Sequence, residues 1–418
     1  MAPGAGENGR PRAVVTGLGV VAPNGIGADA WWRATCAGTS GIGRIERFDP
    51  SRYATRYAGE VRDFEPTDFI ERRLMVQTDR WTWMGLAAAQ LALEDAALDP
   101  AGEDPYAMSV VTASSSGGNE FGQAEIQKLW GRGPGYVGAY QSIAWFYAAT
   151  TGQISIRHGM KGHSNVVVAE GAGGLEALAH SRRTIRRGAR AVVSGGLEAP
   201  LSPYALACQL ANGRLSADPH PAAYRPFDAR ASGYLPGEGG AILVVEGLDD
   251  ARRRGARRVY GEIAGYGATH DACDPARPAT DARQLARAIR LALDDAGLGP
   301  ADIDAVFADG AGTPAGDRLE AAALRTALGA RAAEVPVTVP KSMVGRLYAG
   351  GAALDVAGAL LAIRDGCLPP TINLDTPADG CDLDVVRGAA RRAKLGAVLV
   401  VARGYGGFNA ALVVRRID

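Results

Sequence analysis

The chain has few of the residues that mark metal, disulfide or nucleic-acid-binding proteins. Its five cysteines are scattered without CxxC spacing, which argues against a zinc site and against a disulfide framework. Lysine occurs only four times and the formal net charge is zero, so nothing in the charge predicts binding to nucleic acid or to an anionic membrane. No run of about 18 apolar residues occurs, and the polar segment 1–12 lacks the apolar core of a signal peptide. We therefore predict a soluble, cytoplasmic protein that binds neither a metal nor a cofactor.

The sequence repeats itself in an ordered way. The segment LALEDAALDP at 91–100 returns as LALDDAGLGP at 291–300, with most residues identical. Three apolar runs also recur in the same order in both halves. One opens each half (13–21 and 259–267), one follows the repeated helix (108–112 and 303–307), and one closes each half (240–246 and 396–401). Strands that alternate with amphipathic helices, twice over, predict two α/β halves enclosed by helices and packed as one body. We place the halves at 12–250 and 251–418.

The segment 166–179, VVVAEGAGGLEALA, has the pattern of a strand, a sharp turn and a helix. A nucleophile in such a turn would lie at a helix N-terminus, where the partial positive charge lowers the pKa of a thiol and stabilises an oxyanion. This chain has Gly171 at that corner. We interpret the segment as a scaffold for covalent catalysis that has lost its nucleophile.

A series of further motifs identifies a resemblance. The chain resembles the β-ketoacyl-acyl-carrier-protein synthases of the thiolase-like superfamily over residues 12–415. The motifs that carry it are VVTGLGVVAPNG at 14–25, RPFD at 225–228, PGEGG at 236–240, PKSM at 340–343, PPTINLD at 369–375, GCDLD at 380–384 and GYGGFN at 404–409. The resemblance implies a thiolase-like α/β fold with duplicated α/β/α/β/α layers and two pseudo-symmetric halves.

The family's mechanism needs a cysteine to carry the acyl chain and two histidines to assist decarboxylation of the malonyl group. Laying the family pattern on this chain puts Gly171 at the cysteine position, Asp309 at the first histidine and Arg346 at the second. An anionic aspartate would repel the malonyl carboxylate, and arginine does not exchange protons at neutral pH. The resemblance therefore implies a protein without catalytic residues of its own.

This pattern of loss resembles the chain length factors, the ketosynthase β subunits of type II polyketide synthases. It implies a heterodimer with a catalytic ketosynthase α subunit, which is served by an acyl carrier protein carrying malonyl groups and the polyketide chain. Most chain length factors carry glutamine at the position of Gly171, so a role for that glutamine in decarboxylation does not apply here. Two alternatives stay open, an active β-ketoacyl synthase and a malonyl-carrier-protein decarboxylase, each with a nucleophile foreign to the family. The other cysteines, such as Cys208, do not fit the nucleophile position.

In this subgroup the two subunits share a tunnel, and side chains of the β subunit help to set the length of the poly-β-ketone. The resemblance places the gating helix at 117–130, where helical spacing puts Asn119, Gly122 and Ile126 on one face. Relatives that make shorter chains tend to carry bulky aromatics on this face. The smaller residues predict a longer product, unless Gly122 and Ile126 serve only as packing positions.

Two charged pairs complete the sequence-based predictions. Lys341 of the family's Lys-Ser-Met motif is retained, and Asp355 stands where the family usually carries glutamate. We interpret the two as a structural remnant, a buried ion pair that holds two segments together. Whether Asp309 and Arg346 also pair, and so seal a disused pocket, is a hypothesis that the sequence leaves open.

Overall fold

The computed structural model describes residues 11–275 and 279–417. In chain order, the strands of these ranges are β1 (Ala13–Ala22), β2 (Gly25–Ile26), β3 (Ile42–Arg44), β4 (Tyr57–Gly59), β5 (Met108–Ala113), β6 (Ser164–Val167), β7 (Ala191–Glu198), β8 (Gly239–Gly247), β9 (Gly261–His270), β10 (Ala305–Phe307), β11 (Pro336–Thr338), β12 (Cys367–Leu368), β13 (Asp384–Val385), β14 (Arg391–Arg392), β15 (Ala397–Gly404) and β16 (Phe408–Arg415).

The helices enclose these strands on several sides. In chain order they are α1 (Ala28–Cys36), α2 (Arg72–Met75), α3 (Arg80–Ala96), α4 (Asn119–Arg132), α5 (Gln141–Ala144), α6 (Ala149–His158), α7 (Gly173–Arg186), α8 (Pro203–Ala211), α9 (Leu248–Arg253), α10 (Arg283–Ala296), α11 (Pro314–Leu328) and α12 (Ala349–Asp365).

The strands of the two halves follow the same path through one large mixed sheet. The first half has the order β1-β8-β7-β5-β6 and the second has β9-β16-β15-β10-β11, which the short strand β13 extends by one parallel pairing with β11. In the first half, β1 pairs antiparallel with β8 and β8 with β7, while β7 with β5 and β5 with β6 are parallel pairs. In the second half, β9 pairs antiparallel with β16 and β16 with β15, while β15 with β10 and β10 with β11 are parallel pairs. A short antiparallel pairing of β1 with β9 joins the halves. The predicted duplication is confirmed.

One assignment within the repeat was wrong. The prediction matched 396–401 to 240–246 as closing strands, whereas the sheet order makes β15 the counterpart of β7 and makes β16 the counterpart of β8. Each of these strands is an apolar run that is buried on both faces, so composition alone does not distinguish them.

The same strand–helix contact recurs in both halves. Cβ atoms placed on Gly17 and Gly19 of β1 would lie 2.1 Å and 1.8 Å from backbone oxygens of α3. Gly265 and Gly267 of β9 stand in the same relation to α10, at 2.1 Å and 2.2 Å. Since α3 and α10 contain the repeated LALxDA segment, these glycines explain why the helix repeat and the strand repeat occur together.

Helices cover both faces of each half of the sheet. α3 and α6 pack on the outside of the first half, α10 and α11 pack on the outside of the second, and α7 and α12 lie between the halves. Leu243 of β8 belongs to the core around α7 and α12, while its neighbour Ile242 packs with α3. The result is the α/β/α/β/α arrangement that the resemblance implied. None of the described helices is long and apolar enough to cross a membrane.

Candidate functional site

The turn before α7 is buried and tightly enclosed. Gly171 lies in a single 3₁₀ turn, Glu170–Ala172, which leads directly into the helix. A Cβ atom placed on Gly171 would lie 2.4 Å from the carbonyl oxygen of Arg403 and 2.9 Å from Nη2 of Arg346. The segment has the predicted strand, turn and helix, and its corner leaves no room for a side chain.

Asp309 and Arg346 meet beside this corner. Arg346 donates from Nη1 to Asp309 Oδ2 at 3.2 Å and from Nη2 to Asp309 Oδ1 at 3.3 Å. Its Nη2 also donates to the Arg403 carbonyl oxygen at 2.6 Å, and the guanidinium lies over the ring of Tyr234. Both charged side chains are buried. The Arg346 guanidinium and the Arg403 carbonyl oxygen together occupy the space that a side chain at Gly171 would need.

The charge state of the pair follows from its surroundings. Burial by itself would raise the pKa of Asp309, but the charges of Arg346 and Lys341 hold it below its usual value. Burial by itself would lower the pKa of Arg346, but the charges of Asp309 and Glu170, with smaller contributions from neighbouring tyrosines, hold it well above its usual value. Neither group exchanges a proton near neutral pH, so the pair is unsuited to the acid–base work of two histidines.

Lys341 is buried at the back of the same site. Its ammonium group contacts the Asp355 carboxylate of α12 and donates to the Ala308 carbonyl oxygen at 3.0 Å. Burial lowers the pKa of Lys341 to about 8, although the charges of Asp309 and Glu320 oppose the shift. The lysine therefore ties α12 to the segment that carries Asp309, which is the arrangement of a structural ion pair.

Two buried acids of α11 hold the loop that follows β10. Glu320 accepts the backbone N–H groups of Asp309 and Gly310 at 2.7 Å and 2.8 Å, and Asp317 accepts that of Gly312 at 2.9 Å. Burial raises the pKa of Glu320 to about 7 and that of Asp317 to about 8. The sequence reasoning missed this support, since the spacing of the two acids is also that of an ordinary exposed helix face.

Two cavities meet at the turn. One, of about 550 Å³, is lined by Asp309, Arg346 and Arg403, and the other, of about 410 Å³, is lined by Asn119 and Cys208. Glu170 and Tyr405 line both. No sequence motif assigns a role to either residue, and their only signals are their places beside Gly171 and in the glycine-rich C-terminal loop.

The predicted gating helix exists as α4, but its three residues have different surroundings. Asn119 lines the 410 Å³ cavity. Gly122 is buried, and a Cβ atom there would lie 2.9 Å from Cδ1 of Trp145. Ile126 is 41% exposed on the outer surface of the chain. The structure therefore brings Asn119 to the cavity, while Gly122 is a packing position against an aromatic ring.

Cys208 lies closer to the site than the sequence indicated. It is exposed on α8 and lines the same cavity as Asn119, and Tyr204 is its hydrogen-bonding neighbour. No histidine lines this cavity among the residues that the structure describes. The thiol therefore lacks the imidazole base that activates cysteine nucleophiles.

Comparison with known families gives two matches in chain order. The family described as "Beta-ketoacyl synthase, N-terminal domain" matches residues 11–251, and "Beta-ketoacyl synthase, C-terminal domain" matches residues 260–375. The tetracenomycin polyketide synthase ketoacyl synthase beta subunit of Streptomyces glaucescens is 56% identical over 407 residues, covering 96% of this chain and 98% of its own. The actinorhodin polyketide putative beta-ketoacyl synthase 2 of Streptomyces coelicolor is 51% identical over 405 residues, covering 96% and 98%.

Solved structures match over nearly the whole length. The ishigamide ketosynthase/chain length factor superposes with a TM-score of 0.91 at 32% identity, covering 98% of this chain and 100% of that one. A chain from a type II polyketide synthase ketosynthase in complex with its acyl-carrier protein, bound to the hexaketide, has a TM-score of 0.89 at 28% identity, with coverages of 98% and 100%.

Proposed function

Because the chain belongs to the β-ketoacyl synthase family, we propose that it is the non-catalytic partner of a ketosynthase α subunit in a type II polyketide synthase. One observation carries the proposal. Asp309 and Arg346 form a buried ion pair beside Gly171, and this pair and the Arg403 carbonyl oxygen leave no room for a side chain at the turn. We assign Gly171, Asp309 and Arg346 to the positions of the family's cysteine and two histidines. In this function the chain completes a tunnel shared with the α subunit and sets the length of an aromatic polyketide precursor.

The surface of the chain supports assembly with a partner. The stretch 126–147 exposes several large apolar side chains, namely Ile126, Trp130, Tyr136, Tyr140, Ile143, Trp145, Phe146 and Tyr147. Strand β6 forms the neighbouring end of the large sheet and pairs with β5 alone among the described strands. Exposed aromatic area and an open strand edge are both features of surfaces that bind another protein. The occupant that we propose is the ketosynthase α subunit.

Length control in this function belongs to the cavity beside α4. Asn119 lines it directly, and Ile126 lies on the same helix within the exposed apolar stretch. We assign Asn119 and Ile126 to the wall of the shared tunnel and leave Gly122 as the residue that lets Trp145 pack on α4. The acyl carrier protein delivers malonyl groups to the α subunit, and a cytoplasmic location is part of the proposal because the complex must meet that carrier.

An active acyltransferase remains the competing function, because Cys208 is exposed and lines a cavity next to the silent site. The deciding experiment treats the purified α–β complex with a cysteine-directed inhibitor of condensing enzymes and measures the intact mass of both chains. We expect one adduct on the α subunit and complete loss of polyketide synthesis. This loss should not require an adduct on this chain.

The control is Cys208→Ala, which removes the exposed thiol without touching the ion pair. We expect the variant complex to make the same polyketide at the same rate as the parent complex. Loss of product in this variant, with an intact complex and an α subunit that still takes up the inhibitor, would favour the acyltransferase over the non-catalytic partner.

A further inference from the structure

The carboxylate of Glu170 fills a ready-made anion site. Its Oε2 atom accepts hydrogen bonds from the backbone N–H of Gly171 and from that of Tyr405, the latter at 2.8 Å. The two donors come from distant parts of the chain, the turn before α7 and the turn between β15 and β16. They converge on a single oxygen atom.

Two backbone N–H groups aimed at one point are the arrangement that stabilises a negatively charged oxygen during acyl transfer. The site also lies at the N-terminus of α7, a helix of 14 residues, whose dipole favours an anion there. The chain has lost the nucleophile and both histidine positions, yet it keeps this donor pair. We propose that Glu170 is a built-in anion that occupies the donor pair, so that no substrate oxygen enters the silent site.

The backbone of Glu170 supports this assignment. Its φ is 47°, in the left-handed region that residues with side chains rarely adopt. Such a conformation persists where surrounding contacts impose it, and it clusters at functional positions. Here the left-handed backbone places the carboxylate over the N–H of the next residue and within reach of Tyr405. The conformation is the means by which the carboxylate reaches the donor pair.

The position of Glu170 between the two cavities gives the contact a consequence. The cavity lined by Asn119 and the cavity lined by Asp309 and Arg346 share Glu170 and Tyr405 as wall residues. The carboxylate therefore separates the space at α4 from the disused site. This inference deepens the proposed function, and its meaning for polyketide synthesis rests on that function. A polyketide that grows beside α4 would meet a charged wall at Glu170.

The test uses crystals of the α–β complex soaked in sodium bromide, with anomalous diffraction recorded at the bromine edge. Glu170→Gly removes the carboxylate, and glycine adopts the left-handed backbone without strain. We expect an anomalous peak between the N–H groups of Gly171 and Tyr405 in this variant and no peak in the parent complex. Glu170→Gln is the matched control, because its amide oxygen still accepts both bonds, and it should show no peak.

Two results would overturn the inference. One is an ordered turn in Glu170→Gly with both N–H groups in place and no bromide between them. The other is bromide at the same point in the parent or in Glu170→Gln. Glu170→Ala provides a second variant if the glycine chain does not assemble. Polyketide output, measured on the same preparations, reports on the proposed function separately. A complex that makes no polyketide but binds bromide as expected would contradict only that function.

Discussion

The charged side chains around Gly171 tolerate burial because each has a close partner. Asp309 and Arg346 form a two-point contact, and Lys341 reaches both Asp355 and a backbone carbonyl oxygen. Pairs of this kind contribute little net stability, because desolvation offsets most of the attraction. Removal of one partner is costly, however, since it leaves the other charge buried and uncompensated.

We therefore predict that Arg346→Met destabilises the complex by about 3–5 kcal/mol, because it leaves the Asp309 carboxylate without its partner. The double variant Asp309→Leu/Arg346→Met removes both charges and should recover most of that loss. The measurement is urea unfolding of the purified α–β complex, followed by circular dichroism, with the coupling read from the double-mutant cycle.

The matched control for this cycle is Arg318→Met, the same substitution at an exposed arginine that lines the same cavity. It should change the free energy of unfolding by less than about 0.5 kcal/mol. If Arg346→Met were equally mild, the ion pair would not be what holds the site closed, and the space beside Gly171 would depend on backbone packing alone.

At the scale of single elements, α4 shows how a helix face can combine several tasks. Its N-terminal end is held by Asp79, the N-cap of α3, whose carboxylate accepts the Phe121 N–H at 2.8 Å. Burial raises the pKa of Asp79 to about 6. A fixed helix start places Asn119 at the cavity and turns Gly122 toward Trp145.

We predict that Asn119→Phe shortens the polyketide by about one two-carbon unit or more, because an aromatic ring would take up part of the cavity that Asn119 lines. Ile126→Phe should act in the same direction once the α subunit covers the exposed face. The readout is the mass of products from the reconstituted α–β pair with carrier protein and malonyl donor.

Gly122→Ala serves as the contrast, since its Cβ meets Trp145, and it should lower the yield of complex without a specific change in product length. Unchanged products from both Phe variants, at normal turnover, would remove α4 from length control.

Sequence patterns were informative about α4 and about the strand–helix repeat for a local reason. The spacing of apolar residues and the LALxDA repeat report which face of an element is buried, and the structure has those elements where the patterns predicted them. The structural equivalence of β16 and β8 in the two halves was missed, because two apolar runs of similar composition do not encode their order in a sheet. Three-dimensional convergence was also beyond the sequence. Nothing in the pattern around Glu170 places its carboxylate against Tyr405, which lies far along the chain.

At the scale of the whole molecule, β6, one of the two end strands of the large sheet, lies in the same half as the exposed apolar surface. β6 ends the sheet in the first half, and the exposed stretch 126–147 belongs to that half as well. Trp130 is 82% exposed and Trp145 is 51% exposed, which is a large solvent-facing area for side chains of this type. A chain with this surface uncovered should self-associate, and one with a matching partner should form a stable pair.

The edge strand offers a precise way to test this assembly. The His163 carbonyl oxygen accepts a hydrogen bond from Val110 of β5, and the Val167 carbonyl oxygen accepts one from Ser114, just after β5. Backbone groups of successive strand residues point to opposite sides, so those of Val166 point to the open side of the sheet. Val166→Pro removes one outward N–H and leaves the pairing with β5 in place. We expect it to weaken α–β association by about tenfold, because a net hydrogen bond contributes about 0.5–1.5 kcal/mol and the proline ring also obstructs close approach. Val166→Ala keeps the N–H group and is the matched control, with near-parental affinity.

Association is measured by analytical ultracentrifugation of the co-purified subunits over a dilution series. A lone β chain that runs as a monodisperse monomer, or a Val166→Pro complex that is as tight as the parent, would mean that the partner binds elsewhere, because an open strand edge and exposed aromatics would then be tolerated without a cover.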